Sequence, residues 1–373
     1  MRIGLLVLSV GNFGNKGFYN LQEVGLGKAL GRKGHTVNIY KCVHKNQPDQ
    51  TEEIAPNVFF HPIGVSTIGN NSVFRCETML DDSMDVLICF SDIQLWTSRV
   101  YRWAVRHHIK FIPYVGITHS TSTSPLIRTV INFCAGSAYN TYKKTGVMVK
   151  TNAVKTELTQ KGVTDIQVAP VGIDSGLLHN DYRLTDRDLL KTLHLKQGLK
   201  YILMVGRIEY DRNPLDVVTV FEALHESDEK YRLMIIGEGS LKEELSDNLA
   251  QKGLSDYVIW AGQIPNSEMW KYYRASTALV SFSRTEIFGM SILEAMYYEL
   301  PVFVMHAPGP DDIIVDKETG FLFSDPQEMA PAISDCFGKE FYGREIGEKA
   351  HKRVLERFSW GDAVKTVETR ANN

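Results

Sequence analysis

Short apolar runs alternate with stretches of helical periodicity along almost the whole chain. In the first half, Arg2–Val10, His35–Lys41, Val58–His61, Asp85–Phe90, Lys110–Val115, Val147–Val149 and Ile166–Ala169 read as strands. Between the first two, Leu21, Val24, Leu26 and Leu30 recur at helical spacing over 19–32, and Gly34 is placed to end that helix. The second half repeats the alternation with Tyr201–Val205, Leu233–Ile236, Val258–Trp260, Thr277–Phe282, Pro301–Met305 and Phe321–Phe323. Strands alternating with helices predict parallel sheets, so the fold class is α/β. Two successive sets predict two doubly wound domains, which bind ligands outside the carboxyl ends of their strands. The join falls near Val171-Gly172-Ile173-Asp174, which gives domains of 1–172 and 173–357.

Composition narrows the classes. At 373 residues, with 43% hydrophobic and 23% charged positions, the chain is ordinary for a two-domain soluble protein. The N-terminal run Met1–Val10 is short and is followed by Gly11-Asn12-Phe13-Gly14-Asn15-Lys16-Gly17, so it reads as a first strand and not as a signal peptide. No segment reaches the ~20 apolar residues of a spanning helix. Cys42, Cys76, Cys89, Cys134 and Cys336 form no C-x-x-C pair and read as reduced thiols of a cytosolic protein. The net charge of −3 is unevenly spread: residues 1–172 hold 18 basic and 11 acidic side chains (+7), leaving 23 and 33 (−10). That basic half suits a phospholipid surface or a phosphate-bearing acceptor as well as it suits plain solvation. Nucleic acid is disfavoured, because no Lys/Arg-rich run with interleaved aromatics occurs.

The most informative stretch is 284–301, where Glu286 and Glu294 lie on either side of Phe288-Gly289-Met290-Ser291 between two strand-like runs. This is a βαβ unit with glycine at the strand-to-helix turn. A helix beginning near Met290 would present free N–H groups and about half a positive charge to a phosphate. The two carboxylates could then sit up to roughly 12 Å apart at 1.5 Å per residue, a span that suits a nucleotide-sugar.

Other strand ends carry weaker signals. Arg207 and Arg212, five apart after Val205-Gly206, have the planar forks that clamp a diphosphate, though two solvated arginines would look the same. Gly237 and Gly262-Gln263 end two further strands, where ordinary turn chemistry also uses glycine. Gly11-x-x-Gly14-x-x-Gly17 lacks the G-x-G-x-x-G spacing, and no acidic residue ends the second strand, so NAD(P) is disfavoured. Asp186-Arg187-Asp188 matches a D-x-D metal pattern, but Thr185 reads as an N-cap with acids in the first turn. His119 follows the strand Phe111–Val115, an end that faces a ligand crevice.

Taken in order, these pieces resemble the large family of retaining GT-B-fold glycosyltransferases with an E-x7-E motif, the glycosyl transferases group 1, which includes sucrose synthases and bacterial mannosyl-, glucosyl- and N-acetylglucosaminyltransferases. The resemblance spans nearly the whole chain, from Gly34-His35-Thr36-Val37 through Ala169–Asp174, Val205-Gly206-Arg207, Ile236-Gly237-Glu238-Gly239 and Glu286–Glu294 to Gly320–Phe323. Phe358-Ser359-Trp360 resembles the start of a terminal helix, 358–373, that packs back on the first domain.

The resemblance implies that Arg207 and Arg212 bind the donor diphosphate, with lysine more usual at the second position. It implies that Glu286 holds the sugar, that the Gly289–Ser291 amides meet the phosphates, that Phe288 belongs to the donor-binding set, and that Glu294 holds the ribose. Gly206, Gly237, Gly262 and Gln263 would line the donor, with the last two beside the base, and His119 would lie near the transferred sugar. The first loop departs from the family pattern, because Gly14 and Gly17 flank Asn15-Lys16 where adjacent glycines are usual; both are assigned to the donor side. The implied reaction is metal-independent transfer of a hexose or N-acetylhexosamine from a UDP-sugar, with no cofactor. The implied acceptor is a glycan or lipid-linked hydroxyl in bacterial surface polysaccharide synthesis. The implied location is cytoplasmic, with peripheral contact on an anionic membrane. Alternatives are a GT-B phosphorylase, a nucleotide-sugar epimerase, or a non-catalytic nucleotide-sugar-binding subunit.

Overall fold

A computed structural model describes residues 1–10, 21–45, 50–68, 71–92, 94–119, 129, 131–133, 135–173, 184–339 and 341–372. Among them, residues up to Gly172 and from Ser359 onward make one unit, and Ile173–Phe358 make the other.

The central apolar runs of unit 1, Ile3–Val7, Val86–Phe90, Phe111–Val115 and Val147–Val149, are buried on both faces, as parallel strands require. At its centre, β1 (Arg2–Val7) pairs in parallel with β2 (Thr36–His44) and β6 (Val86–Phe90), with Leu5 opposite Ile39 and Ile88. The order is β3-β4-β2-β1-β6-β7-β8-β9, with β3 Glu52–Ala55, β4 Val58–Ile68, β7 Lys110–Val115, β8 Val147–Val149 and β9 Ile166–Val168. The chain reverses its direction of winding between β1 and β6, which is this unit's switch point. Helix α1 (Gln22–Arg32) ends as its sequence predicts: Gly34 has φ +86° and its N–H donates to the Gly31 carbonyl at 2.9 Å.

Two expectations are corrected. The first strand stops at Val7, and Ser9 forms an isolated bridge with Asn71. The strand expected at Val58–His61 continues to Ile68, parallel to β2 as far as His44 opposite Val65. Pro62 and Gly64 hide that continuation in the sequence. The partner β3 ends opposite Phe60, so from Pro62 on one flank of β4 lacks β3 and tolerates a residue without an N–H. Beyond it lie β5 (Asn71–Val73), which pairs antiparallel with the end of β4, and the short helix Cys76–Met79.

Unit 1 also carries the helices α2 (Thr97–Arg106), α3 (Gly136–Thr145) and α4 (Asn152–Gln160). Cys42, Cys76, Cys89 and Cys336 are free and buried; Cys134 lies outside the described residues.

Unit 2 is a six-stranded parallel sheet in the order β12-β11-β10-β13-β14-β15. Its strands are β10 Lys200–Val205, β11 Tyr231–Ile236, β12 Val258–Gly262, β13 Ala278–Ser281, β14 Val302–Met305 and β15 Phe321–Phe323. The chain winds outward from β10 through β11 to β12, then restarts at β13 on the other side, so the switch point lies between β10 and β13. Helix α5 (Asp186–Thr192) is capped by Thr185, whose hydroxyl accepts from the Asp188 N–H at 3.2 Å, as expected for that D-x-D run. Helix α6 (Met290–Tyr297) follows β13.

The last helix, α7 (Trp360–Asn372), belongs to unit 1. Arg370, 7% exposed, holds it there: Nη2 donates to Asp165 Oδ1 at 2.7 Å and Nε to Gln167 Oε1 at 2.8 Å.

Candidate donor site

In an open parallel sheet the ligand crevice lies at the switch point, outside the carboxyl ends of the strands. In unit 2 that point is flanked by the loops after β10 and β13, which carry Arg207 and Glu286. The floor is built from glycines. Gly206 (φ +145°) and Gly237 (φ +142°) end β10 and β11, in a backbone region closed to L side chains. The Gly206 N–H donates to the Ile236 carbonyl at 3.0 Å, and the Gly237 N–H to the Gly262 carbonyl at 2.8 Å. A Cβ on Gly237 would fall inside the van der Waals envelope of the Gly206 carbonyl oxygen. The three strand ends are thus in direct backbone contact. Gln263 stands exposed just beyond.

Above this floor the charged side chains form one chain of contacts. Arg207 Nη2 donates to Asp211 Oδ2 at 2.7 Å, Arg212 Nε lies 3.7 Å from the same oxygen, and Arg212 Nη1 donates to Glu286 Oε2. The arginines are each 30% exposed at the side chain and Glu286 18%, so the cluster is open to a ligand on one side. Asp211 was not foreseen. It lies four residues after Arg207, and that i, i+4 spacing was the available signal. Its carbonyl accepts from the hydroxyls of Ser283 (3.3 Å) and Thr285 (3.0 Å), which ties the β10 loop to the β13 loop.

Gly289 caps α6 at φ +96°, ψ +61°, a left-handed turn that brings the Met290 and Ser291 amides to the helix start. Phe288 is buried, 3% exposed, and packs edge-on against Phe358 with centroids 6.2 Å apart. Glu294 is also buried, at 6%, and its Oε2 accepts from the Tyr273 hydroxyl at 2.8 Å. Burial, and then the neighbouring Glu294 charge, hold the Tyr273 phenol well above its ordinary pKa, so it remains a donor. This bond fixes one carboxylate oxygen, and no spacing rule connects positions 21 apart. The structure therefore brings Arg207, Arg212 and Glu286 together and sets Glu294 deeper, one turn into α6.

His119 belongs to unit 1, at the end of β7, with a side chain 60% exposed. Its Nδ1 lies 3.6 Å from Glu157 Oε2 on α4, and Thr118 donates to the same carboxylate. Asp92, beyond β6, accepts from the Gly116 and Ile117 amides at 2.5 and 3.0 Å and so fixes the loop leading to His119. Gly14 and Gly17 lie outside the described residues. Among the described residues no three His, Cys, Asp or Glu side chains converge as a metal site, and no helix is long and apolar enough to cross a membrane.

A sequence model of the family "Glycosyl transferases group 1" matches residues 186–353, which carry all of these unit 2 groups. An alpha-monoglucosyldiacylglycerol synthase of Streptococcus pneumoniae is 26% identical over 272 residues, 71% of this chain and 60% of that one, so the match spans less than two thirds of that relative's length. The sucrose-phosphate synthase of Thermosynechococcus elongatus superposes with a TM-score of 0.76 at 17% identity, covering 99% of this chain and 98% of that one. Anabaena HepE, solved in complex with UDP-glucose, superposes with a TM-score of 0.73 at 15% identity, covering 100% and 98%. Residues 186–353 thus match the glycosyl transferases group 1 family, and the two Rossmann-like units have the GT-B fold.

Proposed function

We propose that the protein is a retaining hexosyltransferase that moves a hexose or N-acetylhexosamine from a UDP-sugar to an acceptor hydroxyl. The observation that carries this reading is the cluster Arg207–Asp211–Arg212–Glu286 at the β10/β13 switch point, beside the start of α6. Without a ligand, Arg212 and Glu286 neutralise each other. A sugar diphosphate offers each a better partner: phosphate oxygens for the guanidinium and ring hydroxyls for the carboxylate. Breaking the sugar–phosphate bond leaves extra charge on UDP. Arg207, Arg212 and the Gly289–Ser291 amides would stabilise it, the arginines exchanging their carboxylate partners for phosphate oxygens. Glu294, immobilised by Tyr273, holds the ribose in this account. His119, whose Nδ1 lies 3.6 Å from Glu157 Oε2, is assigned to the transferred sugar on the family resemblance alone. The attacking hydroxyl enters on the face from which UDP leaves, and the leaving phosphate takes its proton, so the anomeric configuration is retained without a metal ion.

Support for UDP comes from the HepE complex, and support for a lipid-borne acceptor from the name of the pneumococcal relative. A basic stripe on α2 favours peripheral contact with an anionic membrane: Arg99, Arg102 and Arg106 are exposed at positions i, i+3 and i+7. The test is incubation with UDP-glucose, UDP-N-acetylglucosamine or GDP-mannose and diacylglycerol in mixed micelles containing EDTA. The expected outcome is release of UDP together with an α-linked product. No nucleotide release and no product from any donor would refute the proposal.

A further inference from the structure

Tyr210 sits in the middle of the arginine loop, and its side chain is 75% exposed. Among the described residues of unit 2, the other exposed large apolar side chains, Phe341 and Leu355, lie far along the chain from any strand end of the site. A ring left in water on a floppy loop would mean little. This loop is fastened on every side. The Arg212 N–H donates to the Glu209 carbonyl at 2.9 Å, and the Asn213 N–H to the Tyr210 carbonyl at 3.3 Å, closing a single turn that ends with Asn213 at φ +47°. Before the ring, the Glu209 carboxylate accepts from the Ser240 N–H (3.0 Å) and hydroxyl (2.6 Å). After it, the Asp211 carbonyl is held by Ser283 and Thr285, and the Asp211 carboxylate by Arg207. The flanking residues are therefore pulled toward opposite loops, and the phenol projects from a rigid turn. A tyrosine presented this way offers contact area at little further entropic cost on binding.

We propose that Tyr210 is a stacking platform for the apolar C–H face of a pyranose ring engaged in transfer, and so a specificity-determining residue. This inference rests on the hexosyltransferase reading above. Two sugars meet at such a site, the one carried on the diphosphate and the one that accepts it, and their C–H faces are chemically alike. Tyr210 is three residues from Arg207 and two from Arg212, within one turn of both diphosphate-binding groups. A ring on that diphosphate is the nearer candidate, and an acceptor ring is the other source. Covering roughly 40–60 Å² of ring surface at about 25 cal/mol per Å² corresponds to about a fivefold to tenfold effect on binding.

The experiment uses the full chain as wild type, Tyr210→Ala, Tyr210→Phe and Tyr210→Trp. Dissociation constants for UDP and for UDP-glucose are measured by calorimetry. Initial rates of UDP release are measured in water alone and with octyl glucoside as acceptor. Because the ring is exposed, its truncation leaves the fold intact, and unchanged affinity for UDP verifies this. The expected result is that Tyr210→Ala weakens UDP-glucose binding fivefold to tenfold while UDP binding stays within twofold, with Phe retaining and Trp equalling or exceeding the wild type. A platform for the acceptor instead leaves both constants alone and raises the KM for octyl glucoside by the same factor. If the alanine variant moves neither quantity, or weakens UDP equally, the inference is overturned while the transferase reading stands. A wild type that binds neither UDP nor UDP-glucose overturns both.

Discussion

Gly237→Ala puts a side chain where the strand-end floor has no room for one. The residue has φ +142°, and the obstacle facing a Cβ is the Gly206 carbonyl, which is backbone and cannot swing aside as a side chain can. Holding an alanine in that dihedral region costs about 1–3 kcal/mol. Relieving the clash separates the ends of β10 and β11. That forfeits the bonds from Gly206 N–H to Ile236 (3.0 Å) and from Gly237 N–H to Gly262 (2.8 Å), at about 1 kcal/mol each. The total is about 3–5 kcal/mol. In a domain of this size each kcal/mol lowers Tm by roughly 2–4 °C, so the transition of unit 2 should fall by about 6–20 °C. Gly198→Ala is the control: it has φ +82° with nothing within 4 Å of an added Cβ, so it carries only the left-handed dihedral cost of about 1 kcal/mol. Gly206 immediately precedes Arg207, so the same displacement should weaken UDP binding at least tenfold. Scanning calorimetry and titration with UDP read the two effects. A Gly237→Ala protein with a Tm no lower than that of Gly198→Ala and unchanged UDP affinity would refute the packing argument.

Two further predictions concern unit 1. Arg370→Met should destabilise it by about 2 kcal/mol in urea unfolding, because the Arg370 guanidinium also holds the carbonyls of Val147 and Asp165 at 3.3 Å. The larger penalty of a stranded buried ion does not arise, since the Asp165 side chain is 63% exposed; a loss of 5 kcal/mol or none would contradict this. His61 lies between Asn38 (2.8 Å) and Thr51 (3.0 Å) and stacks on Tyr40, and burial lowers its pKa below the ordinary 6.5. The unfolded chain therefore binds a proton below pH 6.5 that the folded chain resists, and stability is lost as pH falls through that window. His61→Gln should flatten this part of the stability–pH curve, and an unchanged slope would exclude His61 as its source.

Much of the fold was legible because buried parallel strands leave nearly continuous apolar runs, and every strand of unit 2 carried one. Where the pattern was broken, the reading failed: β4 passes through Pro62 and Gly64, and β5 is three residues of a polar hairpin. The candidate site was legible as far as chemistry repeats at strand ends. Arg207, Glu286 and the Gly289 turn could be placed by the βαβ rhythm alone. Their pairing could not, because Arg212 and Glu286 are 74 residues apart and only the sheet order β10-β13 makes them neighbours. The same limit hid Tyr273 from Glu294 and Ser240 from Glu209, both of which depend on helix and loop placement in three dimensions.

Arg207 and Glu286 are proposed to grip a nucleotide-sugar and assist departure of its phosphate. Turnover of the best UDP-sugar by Arg207→Ala and Glu286→Ala tests this most directly, with circular dichroism and Tm confirming that each variant is folded. Losses of about a hundredfold to a thousandfold in kcat are expected for each, the scale of removing one charge-stabilising group. Near-normal turnover by either folded variant would contradict the proposal.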